Sequence, residues 1–317
     1  MQILMIAIND PAGTAIGFTK AINKYTDHSC RLITKEIRYN FMFEKDLHLP
    51  WLDEKGWAEV ESSLEASDIF HFHMTADEDL ELGHFKPRDF LKGKKILHHH
   101  HGHPDFRGNP DYFRIKYRRL ERKAIVSTPD LLNLMPEACW QPNLVPINDA
   151  LYLPPVCSDT EGPIRVCQAP TRKDLKDSDA FAVVLARLGE RHTDLESVMI
   201  ENTKHDECLR IKQSCQIHFD HMQGYFGVSS LESLSQGKPV IAGIDSWNEK
   251  HLKSFTEADS LPWVIARSEA DLENRLETLI QDDEKRHEIG AEARTFMENY
   301  WTEKQILQPL IEVYESL

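Results

Sequence analysis

The sequence has no CxxC pair, no long apolar run, no short-period repeat, no low-complexity tract and too few basic residues to balance its acidic ones. Each absence removes a class of protein. The six cysteines, at 30, 139, 157, 167, 208 and 215, show the spacing of neither a zinc site nor a secreted disulfide framework, so reduced thiols in a cytoplasmic protein are expected. No stretch approaches the roughly 20 apolar residues that cross a bilayer, which leaves peripheral contact as the only membrane role. The N-terminal MQILMIAINDPAG is apolar but lacks a basic leader and runs straight into a loop. It reads as a first strand rather than a signal peptide. With 37 Lys and Arg against 52 Asp and Glu, the net charge of -15 disfavours general affinity for phosphate polymers.

What is present fits a soluble α/β protein. The 317 residues exceed one ordinary α/β domain and suit two of about 150 residues, and 41% hydrophobic content supplies cores for both. Short apolar runs alternate with amphipathic stretches, the signature of βαβ units and a mostly parallel sheet. Strands are expected at 3–8, 30–37, 69–72, 95–99, 124–127 and 139–142, with helices at 15–24 and 54–66. A turn-rich segment, 151–163, reads as a linker. A second series follows, with strands at 164–168, 196–200, 216–219, 239–244 and 263–266 and helices at 177–188 and 231–235. From 272 to the end the pattern is helical and is interrupted at Trp301. The expected division is 1–153, 154–300 and a C-terminal helix, 301–317, crossing back to the first domain.

One segment opposes the acidic balance. Residues 107–123 carry Arg107, Arg114, Lys116, Arg118, Arg119, Arg122 and Lys123 against Asp111 and Glu121, with Tyr112, Phe113 and Tyr117 interleaved. A solvated helix face explains this as well as a docking surface does. Such a surface would suit a phosphate-bearing saccharide or lipid, or DNA.

The most informative stretch is GYFGVSSLESLSQGKP, 224–239, placed between two expected strands. A glycine turn that opens a helix after a strand presents free N–H groups and a positive dipole end, which together bind phosphate. Gly227, Val228 and Ser229 are the candidate donors. Glu232, in the following turns, can reach the ribose hydroxyls of the same nucleotide.

This stretch resembles the donor-binding segment of retaining glycosyltransferases of the GT-B fold, a family whose motif reads EGFGLxxLEAMAxGxPVIA. GYFGVSSLESLSQGKPVIA matches its Phe-Gly, Leu-Glu, Gly-x-Pro and final strand, and departs at Gly224, where the family has its first glutamate. In the family that glutamate contacts the donor sugar. The segment IRVCQAPTRKDLKDSDAF is similar to the family's first strand and loop of the second domain, which implies that Lys173 and Lys176, with Arg172 beside them, neutralise the leaving diphosphate. Stabilising developing charge in a fixed geometry is the largest contribution such sites make. A solubility role for basic loop residues is the plainer reading of the same lysines.

KKILHHHHGHPDFR resembles the family's IHYHGSDLR. His101 and Gly102 match its His-Gly pair, and Asp105 and Arg107 its Asp and Arg, which implies an imidazole beside the donor sugar and acceptor, where it can donate or shuttle a proton. The many histidines also raise a metal, but strand neighbours point to opposite faces, so His98 to His101 cannot all converge. No metal site is expected, and His71 and His73 read as satisfied strand-end residues. In INDPAGTAIGF, Gly13 and Thr14 match a glycine loop beneath the transfer site, where a small residue lets substrates approach.

The resemblance implies two Rossmann-like domains facing across a cleft. It also implies transfer of a sugar from a nucleoside diphosphate sugar to an acceptor hydroxyl, with retention, no cofactor and no obligatory metal. The acceptor is expected to be a saccharide or lipid-linked glycan. Three alternatives stand beside it: a DNA-modifying transferase acting on a hydroxymethylated base through Arg114, Lys116, Arg118, Arg119 and Arg122, a nucleotide-sugar epimerase, and a non-catalytic nucleotide-sugar-binding partner.

Overall fold

The computed structural model describes residues 1–38, 42–155 and 162–317. The middle of the expected linker, with Cys157, lies outside the described residues. The chain divides into two compact units, one of Met1–Leu144 with Glu303–Leu317 and one of Val145–Thr302. No helix of the described residues is long and apolar enough to cross a membrane.

The first unit runs β1 (Gln2–Ala7), α1 (Thr14–Tyr25), β2 (Ser29–Thr34), β3 (Leu47–His48), α2 (Glu54–Ala66), β4 (Ile69–His73), β5 (Lys95–His100), α3 (Pro104–Gly108), α4 (Pro110–Leu120), β6 (Lys123–Val126) and β7 (Cys139–Trp140). Its sheet has the order β3-β2-β1-β4-β5-β6-β7, and every pairing is parallel. β3, a two-residue edge strand, has too little pattern to be read from sequence. β2 stops at Thr34, three residues short of expectation.

Alternation sorts β4 between two faces. Phe70 and Phe72 join Leu4, Ile6, Val60 and Leu64 in the core beneath α2. His71 and His73 therefore point the other way. Burying a phenylalanine stabilises by about 1.5–3 kcal/mol, so the two aromatic anchors fix which way β4 faces.

The second unit comprises β8 (Ile164–Gln168), α5 (Ser178–Gly189), β9 (Leu195–Met199), α6 (His205–Gln213), β10 (Ile217–Phe219), α7 (Val228–Ser235), β11 (Val240–Ala242), α8 (Ser246–Thr256), β12 (Trp263–Ile265), α9 (Glu269–Gln281) and α10 (Asp283–Tyr300). Its parallel sheet has the order β12-β11-β10-β8-β9 over a core that includes Val166, Phe181, Ile217, Phe219 and Leu276. α7 begins three residues earlier than its apolar pattern suggests, immediately after Gly227. Asp282 separates α9 from α10 by accepting from the Lys285 N–H, a break in the helical tail that the sequence reading did not place.

The last helix, α11 (Glu303–Glu315), belongs to the first unit. Tyr25 Oη donates to Glu303 at 2.9 Å, and Gln141 Nε2 donates to the Ile306 carbonyl at 2.9 Å.

Each sheet reverses its strand order once, between β1 and β4 in the first unit and between β8 and β10 in the second. Open parallel sheets bind ligands outside the carboxyl ends of their strands at such points. The loops after β8 and β10, and those after β1 and β4, are therefore the places to look.

Candidate functional site

In the second unit the reversal brings together the loop carrying Lys176 and the loop leading to Gly227. Gln168 Nε2, at the end of β8, donates to the carbonyls of Lys176 at 2.6 Å and Asp220 at 3.0 Å and pins the two loops to each other. Lys176 Nζ then reaches Asp220 Oδ1 at 2.7 Å. The other oxygen of Asp220 accepts from the Gly227 N–H at 2.6 Å and from Ser230 Oγ at 2.7 Å. An ammonium, a helix N-terminus and a hydroxyl thus converge on one carboxylate that is 2% exposed. Burial pushes the Asp220 carboxyl up, but His221, Lys176 and the Gly227 N–H outweigh it and hold the group far below the usual carboxylate range. The donor set is that of an anion site, with the chain's own carboxylate occupying it.

A Cβ at Gly227 would lie 3.0 Å from Lys176 Nζ and 3.3 Å from Asp220 Oδ2, so the missing side chain lets both approach the turn closely. Ser229 turns inward, its Oγ accepting from Lys212 Nζ at 2.6 Å. Glu232 follows on α7 and is 6% exposed. Its Oε1 bonds His205 Nε2 at 2.7 Å and its Oε2 bonds Lys212 Nζ at 2.5 Å. Burial raises its pKa, but the Lys212 ammonium and then His205 dominate and bring it down to about 2. Glu232 is therefore a fixed anion, ready to accept from hydroxyls.

Lys173 and Arg172 do not join this group. Lys173 Nζ bonds Glu201 at 2.8 Å and Arg172 pairs with Asp174, all on exposed surface. The short 3-10 turn Lys173–Leu175 aims consecutive basic side chains in different directions, which the motif spacing does not reveal.

At Gly224 the backbone φ is +89°, in the region that favours glycine, and a Cβ would lie 3.0 Å from Asp245 Oδ2. The Gly224 carbonyl accepts from the Asp245 N–H at 2.8 Å and from Asn248 Nδ2 at 3.0 Å. The absence of a glutamate is thus built into the loop, and the Asp245 carboxylate fills the space beside it.

In the first unit, Asp10 caps α1, accepting from the N–H groups of Ala15 at 3.2 Å and Ile16 at 2.9 Å. Gly13, at φ +64°, precedes Thr14, the buried first residue of α1. The space expected to stay open above Gly13 is filled, because a Cβ there would lie 2.4 Å from the Phe43 ring. The glycine admits an aromatic side chain of its own unit.

His101 follows β5, and its Nε2 lies 3.0 Å from His73 Nδ1. Burial lowers its pKa to about 3, so near neutral pH it is an uncharged imidazole. Gly102, at φ +74°, leaves room for the Arg107 guanidinium, which bonds the Gly102 carbonyl at 3.2 Å and Asp130 at 2.7 Å. Asp105 is exposed, and its N–H donates to His103 Nδ1.

The reading of His71 and His73 as satisfied is corrected. Each has a buried Nε2 without a hydrogen-bond partner, as have both ring nitrogens of His99. His98 to His101 do split between faces, but the period of two that separates them places His99 and His101 beside His71 and His73.

The basic segment is also less free than its composition suggests. Lys116 pairs with Asp77 at 2.6 Å, Arg122 with Glu78 at 3.0 Å, and Arg114 with Asp111 at 3.0 Å and Glu137 at 3.1 Å. Acidic residues distant in sequence fold against α4, a pairing that composition cannot show. Arg118, 4.0 Å from Glu137, and Arg119 remain on the exposed side.

No protein-family model and no curated protein matches the chain. Solved structures do. Anabaena Alr3699/HepE in complex with UDP and glucose is 14% identical, with a TM-score of 0.68 over 100% of both chains. An alpha-glucosyltransferase in complex with UDP and a 13-mer DNA containing a HMU base is 9% identical, with a TM-score of 0.64 over 99% of each chain. The UDP-GlcNAc 2-epimerase of Neisseria meningitidis bound to UDP-GlcNAc is 10% identical, with a TM-score of 0.53 over 100% of both.

The fold is GT-B. At these identities the likeness fixes architecture, and this architecture hosts more than one chemistry. Within the GT-B frame, the sequence reading missed Asp220, Ser230, Lys212, His205 and Asp245. Asp220 had one available signal, an acidic residue directly after a strand of a parallel sheet. Lys212 and His205 lie on α6 and meet Glu232 only through tertiary packing.

Proposed function

We propose that the protein is a glycosyltransferase that takes its sugar from a uridine diphosphate sugar and transfers it to an acceptor hydroxyl, with retention and without a metal at the diphosphate. The observation that carries this is the convergence of Lys176, the Gly227 N–H and the Ser230 hydroxyl on the Asp220 carboxylate. A diphosphate oxygen bound beside Asp220 would share the Lys176 ammonium and the N-terminal end of α7 with that carboxylate. Glu232, held ionised and oriented by Lys212 and His205, then accepts from the ribose hydroxyls.

During transfer, negative charge develops on the diphosphate, where the Lys176 ammonium and the N-terminus of α7 stabilise it. The leaving phosphate oxygen takes the acceptor proton on the same face of the sugar. His101, uncharged near neutral pH, acts as a hydrogen-bond partner for the acceptor or the donor sugar. Asp245 beside Gly224 accepts from a sugar hydroxyl.

The acceptor under this reading is a saccharide or lipid-linked glycan, reached from the cytoplasm. The ion pairs of Arg114, Lys116 and Arg122 and the net charge of -15 weigh against DNA. The test is a panel of UDP, GDP, ADP, TDP and CMP sugars, read by thermal shift and by slow release of free nucleotide. A selective shift with nucleotide release supports the transferase. Interconversion of the sugar without an acceptor would favour an epimerase, and no shift with any donor would remove the reading.

A further inference from the structure

Four imidazoles share one face of the first unit's sheet, and four of their buried ring nitrogens have no hydrogen-bond partner. His71 and His73 stand two apart on β4, and His99 of β5 sits opposite His73 in the parallel register. All three are buried, at 0%, 2% and 0% exposure. One ring nitrogen from each lies within 4.8 Å of the others.

The hydrogen bonds divide these nitrogens by kind. Nδ1 of His71 lies 2.7 Å from Tyr314 Oη, and Nδ1 of His73 lies 3.0 Å from His101 Nε2. The Nε2 atoms of both have no partner, and neither has either nitrogen of His99. Native interiors leave very few buried polar atoms unpaired, so several in one place call for a common partner.

We propose that His71, His73 and His99 form a binding site for a divalent transition metal ion, Zn²⁺ foremost. Two histidines at i and i+2 on one strand with a third on the neighbouring strand make a three-imidazole donor set of a kind that zinc accepts, and imidazole suits zinc, copper and nickel far better than magnesium or calcium. Burial holds all three rings uncharged, which is the form that ligates.

Ligation of His71 and His73 through Nε2 leaves the Nδ1 of each carrying its proton. His71 then donates to Tyr314 Oη and His73 donates to His101 Nε2. Metal-bound histidines characteristically donate their second N–H to an oriented neighbour in this way. Zinc–nitrogen distances of about 2.0–2.1 Å in tetrahedral geometry place ligand nitrogens roughly 3.4 Å apart. Binding therefore draws the nitrogens together by rotation about χ2, a broad torsion in histidine. The ion would tie β4 to β5 and fix the tautomer and orientation of His101. The site lies in the first unit and does not depend on the donor assignment in the second.

The test uses the full chain without a histidine tag, stripped with a chelator and titrated with Co²⁺ alone. One equivalent should give the visible absorption of nitrogen-ligated tetrahedral cobalt, displaced by Zn²⁺. X-ray absorption at the zinc edge should then report at least three nitrogens at about 2.0–2.1 Å. His73→Asn and His99→Asn should abolish stoichiometric binding, and His103→Ala should retain it. Absence of stoichiometric binding, or binding that survives His99→Asn, overturns the proposal. Should the variants fail to fold, the zinc-edge spectrum of the unaltered protein decides, since fewer than three nitrogens is incompatible with this site.

Discussion

Replacing Glu232 by glutamine separates two roles of that carboxylate. Lys212 is 1% exposed, and its ammonium bonds Glu232 at 2.5 Å and Ser229 Oγ at 2.6 Å. Glu232→Gln leaves a buried cation without its counter-charge, and breaking such a pair costs about 3–5 kcal/mol. For a unit of this size each kcal/mol moves Tm by about 2–4 °C, so a fall of roughly 6–20 °C is expected. Lys212→Met in the same chain removes the stranded charge and should recover most of that loss, because apolar replacement of a buried pair is often neutral or better. Donor affinity should not recover. A charge-assisted hydrogen bond contributes about 1.5–3 kcal/mol, so UDP should bind roughly 10- to 150-fold more weakly to the single and the double variant alike. Calorimetric unfolding and UDP titration of the three proteins measure both effects. UDP affinity that returns together with stability in the double variant would refute the ribose role of Glu232 and leave a purely structural pair.

The same pair sets a pH dependence. Glu232 is held at about 2 against an ordinary 4.5, so its stabilisation is fully present above pH 4.5 and is lost as pH falls through about 2. The loss of stability between pH 4.5 and about 2 should be smaller in Lys212→Met, which lacks the ammonium that holds Glu232 down, than in the unaltered protein. The two matched lysines should behave differently: Lys176→Ala should weaken UDP binding at least tenfold, and Lys173→Ala, which breaks only a surface pair with Glu201, should stay within twofold by the same titration. Asp245→Asn should raise KM for the donor sugar while leaving affinity for UDP alone unchanged, and equal loss of both would remove Asp245 from the sugar site. His101→Ala should abolish transfer and retain UDP binding, whereas loss of binding would place its role elsewhere.

The alternation of short apolar runs with amphipathic stretches determined two parallel α/β units from the sequence, because strand and helix periods are local and every unit must bury one face. The motif 224–239 likewise located the turn that opens α7, since a glycine before a helix start is legible in one dimension. It did not reveal that Asp220 already fills that anion position, which needed the strand order that sets β10 beside β8. The two basic positions 173 and 176 read as equivalent, and only the path of the 3-10 turn sent one to Asp220 and the other to Glu201. The basic character of α4 was plain, but Asp77 and Glu78, which neutralise part of it, reach the helix through the fold. Single-strand alternation correctly kept His98 to His101 from one common face. Parallel pairing of β4 with β5 decided which histidines meet, because register between strands is a property of the sheet and is written in neither strand alone.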